Sequence, residues 1–153
     1  MQNHQREVGS RTPRRILVID DEVRMAQSLQ LLLESCGYEV EIAHGGHEGL
    51  ALLEQRDFPV IVTDLRMADG DGYEVMRTLA EQPDKAFIVI TGHASTESAI
   101  EALQRRAFDY ITKPFEFDVL RSAVDRAFAK LEADRFRDDM ISMITHDVKI
   151  PLS

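Results

Sequence analysis

Five short apolar runs, each followed by a segment with helical spacing, constrain the fold of this chain more than any other feature of its sequence. Most of the runs are rich in Val and Ile and show no polar alternation, which is typical of strands buried on both faces of a sheet. The runs are RILVID, YEVEIA, PVIVTD, AFIVIT and FDYIT. Strands that alternate with helices in this way predict a parallel sheet with helices on both faces.

The polar residues at the strand ends are the candidate functional residues, because open parallel sheets bind ligands beyond the carboxyl ends of their strands. They are Asp20, Asp21, Asp64, Thr91 and Lys113. Three converging carboxylates would repel one another unless a cation lies between them, and their hard oxygen atoms favour Mg²⁺. A carboxylate beside a metal ion and a lysine is what transfer of a phosphoryl group onto aspartate requires. Taken alone, acidic residues after a strand could instead cap the next helix; the joint pattern favours the site.

Four motifs at these positions resemble those of the response-regulator receiver domains of two-component signalling: IDDE, VTDLRMADGDG, VITGHAS and DYITKPF. The resemblance covers residues 14–128 and implies a flavodoxin-like fold with a five-stranded parallel sheet. It implies that Asp64 is the phosphoacceptor. It also implies that Asp20, Asp21 and Asp64 bind Mg²⁺ together with the backbone carbonyl of Arg66.

The same resemblance implies how such a site would switch. Thr91 would move its hydroxyl to the phosphoryl group, Tyr110 would turn inward behind it, and Lys113 would pair with the phosphate. The peptide before Pro114 is expected to be cis. A histidine kinase or a phosphotransfer protein is the implied phosphodonor.

Two residues depart from the pattern of the family. Ala68 stands where a proline usually follows Met67. Arg106 replaces the usual glycine before Ala107, at the turn from the fourth helix to the fifth strand. A non-glycine residue in a left-handed conformation costs about 1 kcal/mol, so we expect this turn to be rebuilt.

The last helical segment contains no glycine or proline from residue 116 to residue 150, far beyond the usual helix length of about 11 or 12 residues. Its heptad frame places apolar residues at Leu120, Val124, Ala127, Leu131, Ile141 and Val148, and polar ones at Asp134, Asp138 and Thr145. This pattern predicts a helical coiled-coil linker over residues 129–139 and a parallel homodimer held by the long helix. The alternative is a single helix that folds back onto the preceding domain.

The final stretch, DDMISMITHDVKIPLS, resembles the H-box that opens the dimerisation and phosphoacceptor domain of sensor histidine kinases. The resemblance implies that residues 140–153 are the truncated start of that domain, with His146 as the phosphorylated histidine. Asp147 would act as the base that orients the imidazole. We therefore expect a fragment of a hybrid histidine kinase whose receiver regulates an attached kinase module. The alternative is a stand-alone response regulator whose extended helix is only a dimerisation arm.

Composition sets the remaining expectations. Residues 1–13 are polar and lack periodicity, which predicts a flexible N-terminal segment. The formal net charge of −9 argues against a nucleic-acid-binding surface. No apolar run reaches the roughly 20 residues that span a bilayer, and the single cysteine, Cys36, favours a reducing compartment. We predict a cytoplasmic protein with no nucleic-acid partner and no membrane span in this chain.

Overall fold

The computed structural model describes residues 13–68 and 70–148. The strands are β1 (Arg15–Ile19), β2 (Glu39–Ala43), β3 (Val60–Asp64), β4 (Arg66–Met67), β5 (Gly70–Asp71), β6 (Ala86–Thr91) and β7 (Asp109–Thr112). The helices are α1 (Val23–Ser35), α2 (Gly46–Gln55), α3 (Gly72–Ala80), α4 (Thr96–Gln104) and α5 (Phe117–Val148). The predictions made for residues 1–12 and 149–153 lie outside the described residues.

Five of the strands form one parallel sheet in the order β2-β1-β3-β6-β7. The chain runs from β1 outward to β2 and then returns past β1 to β3, so the strand order reverses between β1 and β3. The short strands β4 and β5 pair antiparallel directly after β3. The predicted flavodoxin-like fold is confirmed, and its reversal point brings the carboxyl ends of β1 and β3 side by side.

Each central strand divides its side chains between two hydrophobic cores. In β1, Ile16 and Val18 pack towards α1 and α5, whereas Leu17 and Ile19 pack towards α2, α3 and α4. All four of these residues are fully buried. Successive strand residues point to opposite faces, so a sheet covered by helices on both sides needs an apolar residue at every position. None of the described helices is long and apolar enough to cross a membrane.

The first half of α5 belongs to the domain core, and this corrects the predicted coiled-coil seam. Leu120, Val124 and Ala127 are fully buried, and Leu131 packs, partly buried, against the same core. The heptad steps in this half therefore arise from packing against the sheet and not against a second copy.

Two sets of contacts hold α5 against the residues that directly precede β1 and β2. Arg14 donates two hydrogen bonds of 3.1 Å to the Glu132 carboxylate. Tyr38 stacks on Phe128 with 5.1 Å between ring centroids, and its hydroxyl hydrogen-bonds to Asp125. Burial, followed by this hydrogen bond, raises the pKa of Tyr38. The anchored part of α5 thus extends at least as far as Glu132.

Beyond Leu131 the apolar side of α5 changes direction. The exposed apolar side chains there, which we call the distal stripe, are Phe136, Met140, Ile141, Met143 and Ile144. At 3.6 residues per turn, most of the stripe lies roughly opposite the line of Leu120 and Leu131. Asp134, a predicted seam position, instead accepts hydrogen bonds of 2.7 Å from Lys130 and Arg137 of its own helix. The bond from Lys130, followed by that from Arg137, lowers the pKa of Asp134.

The turn after α4 keeps a left-handed residue, contrary to the prediction that it is rebuilt. Arg106 has a φ of 71°. Its amide donates to the Leu103 carbonyl at 3.0 Å, and the Ala107 amide donates to the Ala102 carbonyl at 2.9 Å. This pair of bonds is the Schellman closure of a helix end. The end of α1 has the same closure around Gly37, whose φ is 98°.

We expect Arg106→Gly to raise the free energy of unfolding by about 1 kcal/mol, because glycine carries no steric penalty at positive φ. Urea denaturation of the wild type and the variant measures the change. Arg106→Ala is the matched control: it removes the charge but keeps the strained backbone, so its effect should stay within about 0.5 kcal/mol. A gain as large in Arg106→Ala as in Arg106→Gly would show that charge, and not backbone strain, limits this turn.

Candidate functional site

The carboxyl edge of the sheet gathers the polar residues that the sequence singled out. Asp20 directly follows β1, and Asp64 ends the neighbouring strand β3. Thr91 ends β6, and Lys113 directly follows β7. The peptide between Lys113 and Pro114 is cis. Because these strands are parallel neighbours, all four residues emerge at the same edge.

Lys113 holds the centre of the site. Its Nζ donates to Asp20 Oδ2 at 3.0 Å, to Asp64 Oδ2 at 3.0 Å and to Glu22 Oε1 at 2.9 Å. The Asp20 and Asp64 side chains are only 0% and 8% exposed, whereas that of Glu22 is 63% exposed. Burial alone would lower the pKa of Lys113, but its hydrogen bonds to the carboxylates of Glu22, Asp64 and Asp20 raise it. The lysine is therefore a fixed positive charge between two buried carboxylates.

The negative charge of the Asp20 carboxylate is only partly compensated by this lysine. Its Oδ1 accepts a hydrogen bond of 2.9 Å from the Glu22 amide. Burial nevertheless raises the pKa of Asp20, against the lowering effect of the Glu22 amide and of Lys113. A further cation beside Asp20 and Asp64 would relieve this cost, since buried charge is stable only when it is compensated. The carboxylate oxygens at this edge thus fit Mg²⁺, which binds few protein ligands and keeps several waters.

Asp21 is held apart from this group. Its Oδ2 accepts a hydrogen bond of 2.7 Å from the amide of Ala68, in the loop after Asp64. Within residues 13–68 and 70–148, no three Asp, Glu, His or Cys side chains are grouped so that they could hold a metal ion. The structure therefore brings two of the three predicted carboxylates together. Arg66, whose carbonyl is the fourth predicted ligand, donates its amide to Asp64 Oδ1 at 3.2 Å.

The predicted switch residues lie on β6 and β7. Thr91 is fully buried, and its Oγ1 accepts a hydrogen bond of 3.0 Å from the His93 amide. The Tyr110 hydroxyl lies 2.5 Å from Ser98 Oγ. Ser98 is itself buried and completes a capping box with Ser95 at the start of α4. Tyr110 is therefore tied to the N-terminus of α4.

Sequence reasoning missed two partners of this site. Ser98 carries only a weak signal in the stretch STES, because it stands three residues after Ser95, where a capping box usually has Glu or Gln. Glu22 stands inside the IDDE motif, but its contact with Lys113 needs the strand order and could not be read from spacing.

Gly72 fixes the backbone behind Asp64. A Cβ at this glycine would lie 2.2 Å from the Asp64 carbonyl oxygen and 2.6 Å from Leu65 Cα. The Gly72 amide also donates to the Leu65 carbonyl at 3.2 Å. The start of α3 therefore approaches the end of β3 more closely than any other residue type would permit.

The second predicted site lies at the far end of α5. His146 is exposed on that helix, and the side chain of Asp147 lies outside the part of the chain that the structure describes. The roles assigned to His146 and Asp147 stay predictions.

Comparisons with known proteins relate the strand-end site to a family. The family model described as "Response regulator receiver domain" matches residues 16–125. The chain is 38% identical over 115 residues to transcriptional regulatory protein ZraR of Salmonella typhimurium, a match that covers 74% of this chain and 26% of that protein. It thus spans about a quarter of the length of this relative.

Two solved structures resemble the chain. The beryllofluoride-activated NtrC4 receiver domain dimer is 36% identical with a TM-score of 0.72, covering 76% of this chain and 98% of that one. A response regulator protein from Burkholderia pseudomallei with a phosphorylated aspartic acid, calcium ion and citrate is 27% identical with a TM-score of 0.69. That match covers 89% of this chain and 86% of the other.

Proposed function

The chain belongs to the response regulator receiver domain family, and on that premise we propose that it accepts a phosphoryl group on Asp64 in a two-component phosphorelay. The observation that carries the proposal is the contact of two buried carboxylates, those of Asp20 and Asp64, with one ammonium group at 3.0 Å. The similar Burkholderia protein is described with a phosphorylated aspartic acid and a calcium ion. We carry over to this chain the phosphorylated aspartate and the presence of a divalent cation, which we propose to be Mg²⁺.

The phosphodonor would be a phosphohistidine on a histidine kinase or phosphotransfer protein. A carboxylate oxygen of Asp64 would attack phosphorus in line; the P–O bond forms as the P–N bond breaks, and its electron pair leaves with the imidazole. The Arg66 amide, which donates to Asp64 Oδ1 at 3.2 Å, would orient the attacking carboxylate. Lys113, anchored by Asp20, would exchange its contact with Asp64 for one with a phosphoryl oxygen. Thr91 would then move its hydroxyl to the phosphoryl group and Tyr110 would turn inward behind it, as the family resemblance implies.

Asp20 and Asp64 would hold Mg²⁺, with Asp21 and the Arg66 carbonyl as the further predicted ligands. When bound, the ion would neutralise charge on the phosphoryl oxygens. The chain itself supplies the preorganised carboxylates, because Asp20 is fully buried and hydrogen-bonded to the Glu22 amide. The site should therefore accept a small phosphodonor without a partner protein.

Incubation with acetyl phosphate and Mg²⁺ should add one phosphoryl group to the wild type and none to Asp64→Asn, as read by intact-mass spectrometry. Chelation of the metal should abolish the addition. Asp57→Asn is the matched control, because Asp57 is an exposed aspartate whose carboxylate pairs with Lys85; it should be phosphorylated like the wild type. Equal labelling of Asp64→Asn and wild type would refute the proposal.

The relatives bear on what the receiver controls. ZraR is named a transcriptional regulatory protein, which favours the response-regulator alternative over a receiver joined to a histidine kinase. We therefore propose a response regulator whose extended helix is a dimerisation arm. The boundaries of the predicted linker and H-box, residues 129–139 and 140–153, stay predictions. The charge argument against nucleic acid concerns this chain alone, and we do not extend it to a protein as long as the relatives.

The distal stripe of α5 is where we propose that two copies meet. Its side chains, unlike those of the corrected seam, are exposed. Each buried Leu- or Met-sized side chain contributes roughly 1.5–3 kcal/mol relative to exposure. Two copies that pair through the stripe would bury several such side chains.

Introducing charge into the stripe should therefore break the dimer. We expect the wild type to sediment as a dimer at tens of micromolar, and Phe136→Glu/Met140→Glu to sediment as a monomer, with association weakened about a hundredfold or more. Leu31→Glu is the control, because Leu31 is an exposed apolar residue on α1, outside the distal stripe. A wild type that sediments as a monomer, or a dimer that survives the double substitution, would remove the distal stripe as the interface.

A further inference from the structure

The backbone amide of Ala68 makes a hydrogen bond that the proposed function does not use. It donates to Asp21 Oδ2 at 2.7 Å across 47 positions of sequence. A bond of this length to a carboxylate is charge-assisted, and such bonds are about twice as strong as neutral ones. Proline, which the family resemblance leads one to expect at this position, has no N–H and could not make it. The contact is thus a property of this chain that depends on the identity of residue 68.

The bond holds Asp21 at the loop after Asp64, outside the group that contacts Lys113. Asp20 and Asp64 both contact the lysine, whereas Asp21 reaches across to the loop after Asp64. A cation that reorients the Asp21 carboxylate towards Asp20 and Asp64 must break its hydrogen bond with the Ala68 amide. The amide therefore competes with a cation for one of the three acidic side chains at this edge.

We propose that the Ala68 N–H is a positioning group that restrains Asp21 and so lowers the affinity of the site for a divalent cation. The inference rests on the proposed function, because the ion in question is the Mg²⁺ of that site. It goes further by naming a backbone donor that sets how much Mg²⁺ the receiver needs. The receiver would fill its metal site only at higher Mg²⁺ concentrations than a chain with proline at position 68.

Substitution by proline isolates this one bond. Ala68 is exposed, so no packing is lost, and the residue before it ends the extended strand β4. An extended preceding residue is what proline requires. Ala68→Ser keeps the amide and is the matched control. Asp21→Asn, alone and combined with Ala68→Pro, shows whether any change passes through the Asp21 carboxylate.

Isothermal titration calorimetry with MgCl₂ should give Ala68→Pro an affinity about tenfold or more higher than that of the wild type, in keeping with loss of one competing bond to a charged group. Ala68→Ser should match the wild type, and the gain should vanish in the Asp21→Asn background. Equal Mg²⁺ affinity in the wild type and Ala68→Pro would overturn the inference alone. No binding of Mg²⁺ to any of the proteins would overturn the proposed function with it.

A second measurement uses the unmodified chain and needs no proline variant. In a nuclear magnetic resonance titration with MgCl₂, the temperature coefficient of the Ala68 amide proton should change from that of a hydrogen-bonded amide to that of a solvent-exposed one. An amide that stays hydrogen-bonded at saturating Mg²⁺ would show that the ion and the Ala68 N–H do not compete.

Discussion

Lys113→Met is expected to lower the free energy of unfolding by about 3–5 kcal/mol, which is the usual cost of removing one partner from a buried ion pair. The methionine fills a similar volume but leaves the Asp20 and Asp64 carboxylates without the ammonium that each contacts at 3.0 Å. Both carboxylates are almost fully buried, so water compensates them poorly. Urea denaturation in the absence of divalent cations measures the loss.

Lys85→Met is the matched control for this prediction. The Lys85 side chain is 8% exposed, comparable with Lys113, but the Asp57 carboxylate that it contacts at 2.7 Å is 65% exposed. Water can solvate that partner after the substitution, so the loss should be about 1 kcal/mol. Adding Asp64→Asn to Lys113→Met should recover part of the stability, because one of the two unpaired charges is removed. Similar losses in the two lysine variants would show that the charges of the site are better solvated than their burial indicates.

Gly72→Ala should lower the free energy of unfolding by about 3 kcal/mol, the upper part of the usual range for groups forced into a packed interior. The added Cβ would meet the Asp64 carbonyl oxygen at 2.2 Å and Leu65 Cα at 2.6 Å, and both are backbone atoms that no rotamer change can move. Relief requires a shift of the chain directly after Asp64. The variant should therefore also accept phosphate from acetyl phosphate more slowly than the wild type. Denaturation and intact-mass time courses measure the two effects.

Gly92→Ala separates this clash from the general effect of adding a methyl group near the site. A Cβ at position 92 would lie 3.8 Å from Lys113 Cβ and 3.9 Å from Lys113 Cδ, which is ordinary van der Waals contact. We expect a change within about 0.5 kcal/mol. A loss in Gly92→Ala equal to that in Gly72→Ala would mean that the loops at this edge tolerate no side chain, whatever the distance.

The sheet could be predicted from sequence because burial on both faces leaves a local signature. In β1 the central positions are all apolar and β3 opens with Val60, Ile61 and Val62, and the acidic residue that ends or follows each strand marks the carboxyl edge. Asp20, Asp64 and Lys113 could thus be placed together from strand order alone. Contacts that depend on side-chain direction could not, and Asp21, which bonds to the Ala68 amide, is the main example.

The long helix shows why periodicity was misleading. A heptad step of apolar residues fits the surface of a sheet as well as the surface of a second helix, so Leu120 and Val124 satisfied both interpretations. The change of the apolar side after Leu131 distinguishes them, but the predicted frame ran across that point. Arg106 is a different case: the sequence identified the strained position, and nothing local revealed that the helix closure would outweigh the strain.

The single helix α5 joins a part fastened to the sheet to a part that carries the distal stripe, and this gives it the mechanics of a lever. Its fulcrum is the Arg14–Glu132 contact. From Glu132 to Val148 the helix rises about 24 Å at 1.5 Å per residue. A rotation of about 5° at the anchored half would move the far end by about 2 Å, which is enough to misalign side chains that pack against a partner. Small movements of the sheet edge would therefore reach the far end of α5 as displacements larger than those at their source.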